Sequence, residues 1–353
     1  MHFSGTKKCL AFLGAKNHKL GQTMSEFELI NAAWNRDIRW ARRILKDVPD
    51  PGHAVNTQNH IGCTALMAAS QRSDIEITQL LLASGADPNI KCYLRGASAL
   101  HHAVKHQKLD NIEILVSHGA DVNSRTKSGE TPLFWAHNFA DNVGDSIRML
   151  VRLGADVDAI DQQDRTLLDR AIMDGRIGCV RALIESGANV NRTRAFGGGN
   201  TETPLYSALL NRDAAMVRVL LHSGASVDAT VRKKSKQFTM LNTATWLRFS
   251  EGVKLLLQYG DKNAAVEDDQ GHSPLGIAVS NCYHDIVLML TDSIVKQSSD
   301  DLINLCVLLR PLGFPVLVVL EIFKEERALH KQLSPMCTIS LAKQWYIAAK
   351  LKR

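Results

Sequence analysis

The chain has few cysteines and no long hydrophobic run. Its seven cysteines are odd in number, widely scattered and never spaced as C-x-x-C, so neither a zinc site nor a disulfide framework is indicated. The longest apolar run, residues 314–320, stops at Glu321 and falls far short of the roughly 20 apolar residues that a membrane span needs. We therefore expect reduced thiols, a cytoplasmic or nuclear location and no membrane insertion.

Catalytic motifs are also missing. The sequence contains no G-x-x-x-x-G-K-[ST], no G-x-S-x-G and no H-E-x-x-H, the patterns that cradle phosphates, present a nucleophilic serine or hold a catalytic zinc. His102 and His106 stand four residues apart, but no third ligand accompanies them, so surface histidines are the better interpretation. We expect no enzyme activity, no cofactor and no metal.

The formal net charge of +6 comes largely from one short segment. Four lysines lie in the first 23 residues, which contain no acidic residue, so the remaining 330 residues carry only +2. A nearly neutral body argues against a nucleic-acid-binding face. Residues 1–23 are interpreted as a disordered basic leader ahead of Met24. A mitochondrial transit peptide is the alternative, whereas the apolar core of a secretory signal is missing.

A repeated pattern fills most of the chain. Seven times, Thr or Ser is followed by x-Leu-x-x-Ala, and the first residues lie 34, 33, 35, 37, 36 and 34 apart. A second motif closes the units, as Gly-Ala-Asp-Pro-Asn at 85–89 and as variants at 119–123, 154–158, 187–191 and 224–228. Such fixed spacing indicates stacked units that each lean on their neighbours. The seven openings begin at Thr64, Ser98, Thr131, Thr166, Thr203, Thr239 and Ser273.

Each part of the repeat has a mechanical role. The Thr or Ser hydroxyl can cap a first helix, with proline tolerated just inside its start. The small alanine lets two helices approach closely. A second apolar helix follows, and glycine ends it in the left-handed conformation. A polar Asp/Asn turn then leads into the next unit.

The two motifs in phase resemble the ankyrin repeat, whose signature is Thr-Pro-Leu-His-x-Ala followed by Gly-Ala-Asp-Val-Asn. Only the second unit keeps the histidine, His101. The resemblance implies an all-α solenoid of helix-turn-helix units joined by β-hairpin fingers, and a protein-binding role. We divide the chain into an N-terminal capping unit (24–57), seven repeats (58–296) and a short C-terminal helical tail (297–353).

The array is irregular at three places. The third unit has two extra residues, around 141–145, and the fingers that precede Thr203 and Thr239 are lengthened. These two fingers carry several arginines and lysines, and they are the first candidate contact zone. The alternative is that insertions accumulate wherever loops tolerate them.

The resemblance places partner binding on a concave face, formed by the fingers and by the exposed ends of the first helices. A few aromatic and arginine side chains usually dominate such interfaces, although Trp246 has the alternative role of filling a degenerate sixth unit. We expect a monomer that binds a protein partner. Transferred by position, the predicted contact residues are Arg72, Lys105, His106, Phe139, Met173 and Trp246 on the helices, and Arg95, Arg165, Lys236 and Phe238 on the fingers.

The tail allows three interpretations. Three short helices are predicted there, and this layout resembles ankyrin-repeat SOCS-box proteins, which recruit elongins and a cullin. That resemblance makes Leu302 and Cys306 the elongin contacts and the chain a substrate receptor of a ubiquitin ligase. The spacing of Phe314-Pro315 and Ile322-Phe323 is also that of an F-box opening. The third interpretation is a helical cap, which leaves a plain interaction scaffold.

Overall fold

The computed structural model describes residues 24–138, 143–233, 236–260 and 271–297. The chain divides into two compact units, Met1–Val190 and Asn191–Arg353. The predicted leader, Phe139 and the tail with Leu302 and Cys306 lie outside the described residues.

Both units consist of short helices in pairs, which confirms the all-α prediction. In the first unit the α-helices are Met24–Asn35, Ile38–Asp47, Pro51–Asn56, Ala65–Ser70, Ile75–Ala83, Ala99–Lys105, Leu109–Ser117, Val143–Arg152, Leu167–Met173 and Ile177–Glu185, with a 3-10 helix at Pro132–Asn138. In the second unit they are Pro204–Leu210, Ala214–His222, Met240–Trp246, Ser250–Gln258, Pro274–Ser280 and His284–Gln297, and the strands are Arg194–Phe196, Asn200–Glu202, Thr230–Lys233 and Lys236–Thr239.

The Thr or Ser that opens a repeat caps its first helix. Thr64 Oγ1 accepts the Met67 N–H at 3.3 Å, and Thr203 Oγ1 accepts the Tyr206 N–H at 3.2 Å. At Thr131 this prediction is wrong: the Phe134 N–H donates to the Thr131 carbonyl instead, and the buried hydroxyl has no hydrogen-bond partner. The N–H that the hydroxyl was expected to accept is thus bonded to the main-chain carbonyl of the same residue. Residues Pro132–Asn138 form a 3-10 helix.

The core of each unit follows the line of motif alanines. All seven are 0% or 1% exposed, and the motif leucines beside them are buried as well. Removing such side chains from water is the main stabilising contribution, about 1.5–3 kcal/mol for each leucine-sized group. The glycines that end the second helices have φ between +86° and +99°, as predicted for left-handed helix ends. The motif alanines are Ala69, Ala103, Ala136, Ala171, Ala208, Ala244 and Ala278.

Where the closing motif ends in Asn, that side chain joins its repeat to the next. Asn89 Nδ2 donates to the Gly119 carbonyl at 2.8 Å, and Asn89 Oδ1 accepts the Asp121 N–H at 2.8 Å. The same pair of bonds, which we call the asparagine clamp, recurs at Asn123 and, in the second unit, at Asn191. The clamp satisfies a helix-terminal carbonyl that has no partner within its own helix.

The predicted capping unit ends with the same device. Asn56 Nδ2 donates to the Gly85 carbonyl at 2.9 Å, and Asn56 Oδ1 accepts the Asp87 N–H at 2.7 Å. The four arginines of this segment are exposed, as expected. Residues 24–57 therefore join the following repeat as a full repeat would. The four arginines are Arg36, Arg39, Arg42 and Arg43.

Consecutive fingers of the first unit are joined by single main-chain hydrogen bonds. The Tyr93 N–H donates to the Ile61 carbonyl at 3.1 Å, and the Lys127 N–H donates to the Arg95 carbonyl at 2.8 Å. Gly62 permits this approach, because a Cβ there would lie 2.3 Å from the Tyr93 nitrogen. The fingers thus stack at close range.

The two lengthened fingers of the second unit form antiparallel hairpins. Arg194 pairs with Glu202 in the first, and Thr230 pairs with Thr239 in the second. The Arg232 N–H donates to Thr201 Oγ1 at 2.8 Å, which joins the two hairpins. The added residues therefore extend both fingers as ordered strands.

The asparagine clamp can be tested in both directions. Asn123→Ala removes both of its bonds and should lower the free energy of unfolding by about 1–2 kcal/mol. Asp158 occupies the clamp position of its own repeat and only accepts, from the Asn189 N–H at 3.0 Å. Asp158→Asn adds a donor for the Gly187 carbonyl and should raise stability by about 0.5–1 kcal/mol. Urea unfolding of the full chain measures both, and a gain from Asn123→Ala would contradict the role of the clamp.

Candidate functional site

Large apolar side chains are exposed at one recurrent position, two residues after the motif alanine. Met173 is 53% exposed in the first unit, and Leu210 and Trp246 are 43% and 50% exposed in the second. Sequence analysis selected Met173 and Trp246 but missed Leu210, which its equivalent position could have revealed. Other repeats carry Gln71, Lys105 and Ser280 there. Because the repeat folds with a polar residue at this position, packing does not require the apolar side chains.

Two other predicted contact residues belong to the same repeat as Trp246. Lys236 is exposed and Phe238 is half-buried on the strand Lys236–Thr239, which leads through the Thr239 cap directly into the helix that ends at Trp246. The Trp246 and His272 rings meet edge to face, with 6.5 Å between their centroids. Three predicted contact residues therefore lie on consecutive elements of one repeat of the second unit.

The hairpins of the second unit hold a compact charged cluster. Glu202 pairs with Arg194 and with Lys233, whose ammonium lies 2.7 Å from Glu202 Oε1 and 4.4 Å from the centre of the Phe196 ring. Burial alone would raise the pKa of Glu202, but the hydrogen bonds from Lys233 and Arg194 outweigh it and lower that pKa. One carboxylate is shared by two finger cations, so it offsets one of their two positive charges. Sequence analysis missed the role of Glu202, because its partner Lys233 lies 31 residues away along the chain.

Arg72 contacts a tryptophan from the preceding helix pair. Its guanidinium lies 4.0 Å from the centre of the Trp34 ring, and the side chain is half-buried. The Arg72 carbonyl also accepts a hydrogen bond from Asn111 Nδ2 at 2.8 Å. Arg72 is therefore held in place within the first unit.

Lys105 lies over a second tryptophan, which is buried. Its ammonium lies 5.7 Å from the centre of the Trp135 ring, which is 5% exposed. Trp135 Nε1 donates to Glu130 Oε2 at 2.9 Å, and Glu130 Oε1 pairs with Arg170 at 2.6 Å. Lys105 and the finger residue Glu130 thus belong to one network that links three repeats.

The histidines beside this network are kept neutral. His101 Nδ1 accepts the Ser98 N–H at 3.1 Å, so the ring proton lies on Nε2, 3.3 Å from the Glu130 carbonyl. Burial lowers the pKa of His101 to about 4. Burial also lowers the pKa of His102 to about 3 and that of His106 to about 4. Interpreting His102 as a surface histidine was wrong, because its ring packs edge-on against Trp135 at 5.7 Å and its Nε2 is buried.

The two predicted finger arginines of the first unit differ in environment. Arg165 is held by Asp161, whose Oδ2 lies 3.0 Å from Arg165 Nε and 2.8 Å from Nη2. This ion pair neutralises Arg165 within its own finger. Arg95 is exposed.

Neither a metal-binding group nor a membrane-spanning helix is present in the described ranges. Among those residues, no group of three or more His, Cys, Asp or Glu side chains is arranged to hold a metal ion. None of the described helices is long and apolar enough to cross a membrane.

Comparison with known families gives overlapping matches. The model described as ankyrin repeats (3 copies) matches residues 29–126 and 122–194, and the model described as ankyrin repeats (many copies) matches residues 168–221. Together the matches run from residue 29 to residue 221, more than half of the 353 residues. The first match begins inside the segment predicted as a capping unit.

Individual relatives align with parts of the chain. An ankyrin repeat protein of fowlpox virus (strain NVSL) is 36% identical over 227 residues, which are 62% of this chain and 65% of that protein. Human ankyrin repeat and SOCS box protein 6 is 34% identical over 140 residues, 38% of this chain and 33% of that protein. Human transient receptor potential cation channel subfamily A member 1 is 26% identical over 218 residues, 60% of this chain and 19% of that protein. The chain covers less than two thirds of the length of each.

The neutral histidines predict a pH-dependent stability. Between about pH 6.5 and 4, His101 is protonated in the unfolded chain but stays neutral in the folded chain. The free energy of unfolding should therefore fall as pH falls, and His101 contributes up to about 3 kcal/mol of this decrease. His101→Asn should flatten this profile, since Asn242 at the equivalent position donates to the His272 carbonyl at 3.2 Å. Denaturant unfolding across this range measures the effect, with exposed His118→Asn as the matched control. An unchanged slope in His101→Asn would contradict it.

Proposed function

The chain belongs to the ankyrin-repeat family, and we propose that it is a protein-binding scaffold that holds its partner with exposed first-helix ends and with fingers. Repeats of this family generally serve protein–protein interaction and not catalysis. The observation that carries the proposal is the pair Leu210 and Trp246, exposed in neighbouring repeats of the second unit. Both are large apolar groups at a position where other repeats have polar ones.

An apolar pair of this kind suits a protein partner. Burying a half-exposed tryptophan and leucine in a complex removes apolar surface from water, at about 25 cal/mol for each square ångström. Tryptophan is among the residues that most often dominate interface energies. Phe238 and the exposed Lys236, on the strand that leads into the Trp246 helix, add an aromatic side chain and a positive charge to the same repeat.

The remaining predicted contact residues differ in how available they are to a partner. Arg95 and Met173 are exposed and available to a partner. Lys105 and His106 are half-buried, and Arg165 is neutralised by Asp161. We therefore assign the larger contributions to Trp246, Leu210 and Arg95.

The contact surface can be tested by truncation. Trp246→Ala and Leu210→Ala should each weaken partner binding by about 1 kcal/mol or more, measured by titration calorimetry with a partner first identified by affinity capture and mass spectrometry. Leu288→Ala is the matched control, because Leu288 is 45% exposed on a second helix. Melting temperatures are followed in parallel. If the variants lose stability while the folded fraction binds unchanged, the two side chains are structural and this surface is not the contact.

A ubiquitin-ligase substrate receptor is the second candidate function. It is supported by the 34% identity with a human protein named for ankyrin repeats and a SOCS box, and by the Leu302-x-x-x-Cys306 spacing. Residues four apart share one face of a helix, as insertion of both side chains into a single elongin groove requires. In this proposal the repeats bind the substrate and the tail binds elongins and a cullin.

The tail has its own test. Leu302→Asp combined with Cys306→Asp would place unpaired charge in an apolar groove, which is costly, and should abolish co-purification of elongin with the full chain. Binding of the repeat partner should survive. If the wild-type chain retains no elongin in a capture that recovers it with an authentic SOCS-box protein, the ligase proposal is lost and the scaffold remains.

A further inference from the structure

One finger of the first unit presents two large apolar side chains to solvent. Tyr93 is 55% exposed and Leu94 is 58% exposed. Their turn is held firmly, since the Cys92 N–H donates to the Ala97 carbonyl and the Gly96 N–H donates to the Cys92 carbonyl, both at 2.9 Å. The Tyr93 main chain is also bonded to the preceding finger. These side chains are therefore displayed on a fixed backbone.

Four cations lie on this finger and the next. Lys91 Nζ donates to the Arg125 carbonyl at 3.0 Å, Lys127 Nζ donates to the Tyr93 carbonyl at 2.5 Å, and Arg125 Nη1 donates to the Ile160 carbonyl at 2.6 Å. Arg95 is exposed beside them. We call Lys91, Tyr93, Leu94, Arg95, Arg125 and Lys127 the cationic finger edge.

The charge of this edge is not neutralised within the described residues. Every ion pair in that part of the chain joins other groups, and none includes Lys91, Arg95, Arg125 or Lys127. Lys91, Arg125 and Lys127 donate to carbonyl oxygens, which fix the geometry of these side chains but leave their full charge. Glu130, the carboxylate of the second finger, is paired with Arg170.

The edge also borders an open cleft. Lys91, Tyr93, Gly96 and Lys127 line a cleft of about 450 Å³ between the two fingers. Fixed cations on either side of such a cleft attract anionic groups and raise their local concentration.

We propose that the cationic finger edge docks an acidic protein segment, with its carboxylates against the four cations and an apolar side chain against Tyr93 and Leu94. This inference rests on the proposed protein-binding function and adds the chemistry of the partner. Charge complementarity provides specificity and speeds association, while the apolar pair contributes the desolvated contact.

A nucleic acid fits the same features less well. Phosphate backbones are bound by long rows of cations with aromatic rings for base stacking, whereas this edge has four cations and one aromatic ring. Leu94, the most exposed of the large hydrophobic residues described, has no stacking face. An aliphatic side chain at the centre of the edge favours a protein segment.

The test is fluorescence anisotropy with the full chain and three labelled probes. The first is a short peptide in which glutamates flank a central leucine and phenylalanine. The second has glutamine in place of each glutamate, and the third is a single-stranded RNA of equal length. We expect binding of the acidic peptide, loss of that binding as salt rises, and affinity about tenfold or more lower for Lys91→Glu combined with Arg95→Glu.

Matched variants distinguish the effect of charge at the cationic finger edge from an effect on folding. Arg39→Glu combined with Arg42→Glu reverses two exposed charges on the helix Ile38–Asp47 and should leave peptide affinity unchanged. Leu94→Ser should lower the affinity for the acidic peptide without changing how that affinity depends on salt. Unfolding curves confirm that each variant is folded.

Three outcomes would overturn the proposal. In the first, the glutamine peptide binds as tightly as the glutamate peptide. In the second, the variant with Lys91→Glu and Arg95→Glu binds the glutamate peptide as tightly as the wild type does. In the third, RNA binds more tightly than the peptide and depends on the same two residues. The proposed function fails separately, when no captured protein depends on Leu210 or Trp246. A captured protein that depends on those two side chains but is indifferent to Lys91→Glu and Arg95→Glu would refute the finger edge alone.

Discussion

The stacking of each repeat on its neighbour, aligned at several junctions by the asparagine clamp, is the constraint on which the rest of each unit depends. A repeat of two short helices cannot bury its apolar face alone, so its stability comes from the neighbour against which it stacks. The clamp sets that stacking, because one amide side chain satisfies the glycine carbonyl and the following N–H of the next repeat. Once the turns are aligned, the fingers and the exposed helix ends follow at fixed positions. Asn56 extends this arrangement to the first helix pairs.

A fixed scaffold leaves a few positions free to vary. The site two residues after the motif alanine is Gln71 in one repeat, Lys105 in another and Trp246 in a third, with the same backbone around each. The signature histidine position shows the opposite constraint, since it is buried and its polar contacts must be satisfied. His101 and Asn242 both bond to the carbonyl that precedes the next repeat's opening residue, whereas Asp169 accepts the Thr166 N–H of its own repeat. In the proposed function, variation at the first position changes what is bound, whereas the residues at the second position are constrained by burial.

The fold could be predicted because its determinants are local and recur in phase. Each determinant acts within a few residues, as the helix caps Thr64 and Thr203, the left-handed Gly85 and the buried motif alanines show. Every further copy of the motif supports the same assignment. Thr131 shows the limit of this reasoning. Its neighbours match the motif, yet a main-chain bond replaces the hydroxyl cap. Which of two acceptors receives one N–H depends on small differences in backbone geometry, and these are not visible in a motif.

The sequence by itself determined the class of fold, the positions of the repeats and the two lengthened fingers, since periodicity and turn chemistry are written along the chain. It also indicated the exposed positions that carry Met173 and Trp246. Only the tertiary structure decided which charges remain available: Arg165 is neutralised by Asp161 and Lys233 by Glu202, while Arg95 stays exposed. It also placed Arg72 against Trp34 and Lys105 over Trp135. The physical reason is distance along the chain, because most of these partners come from other repeats and meet only when the repeats stack.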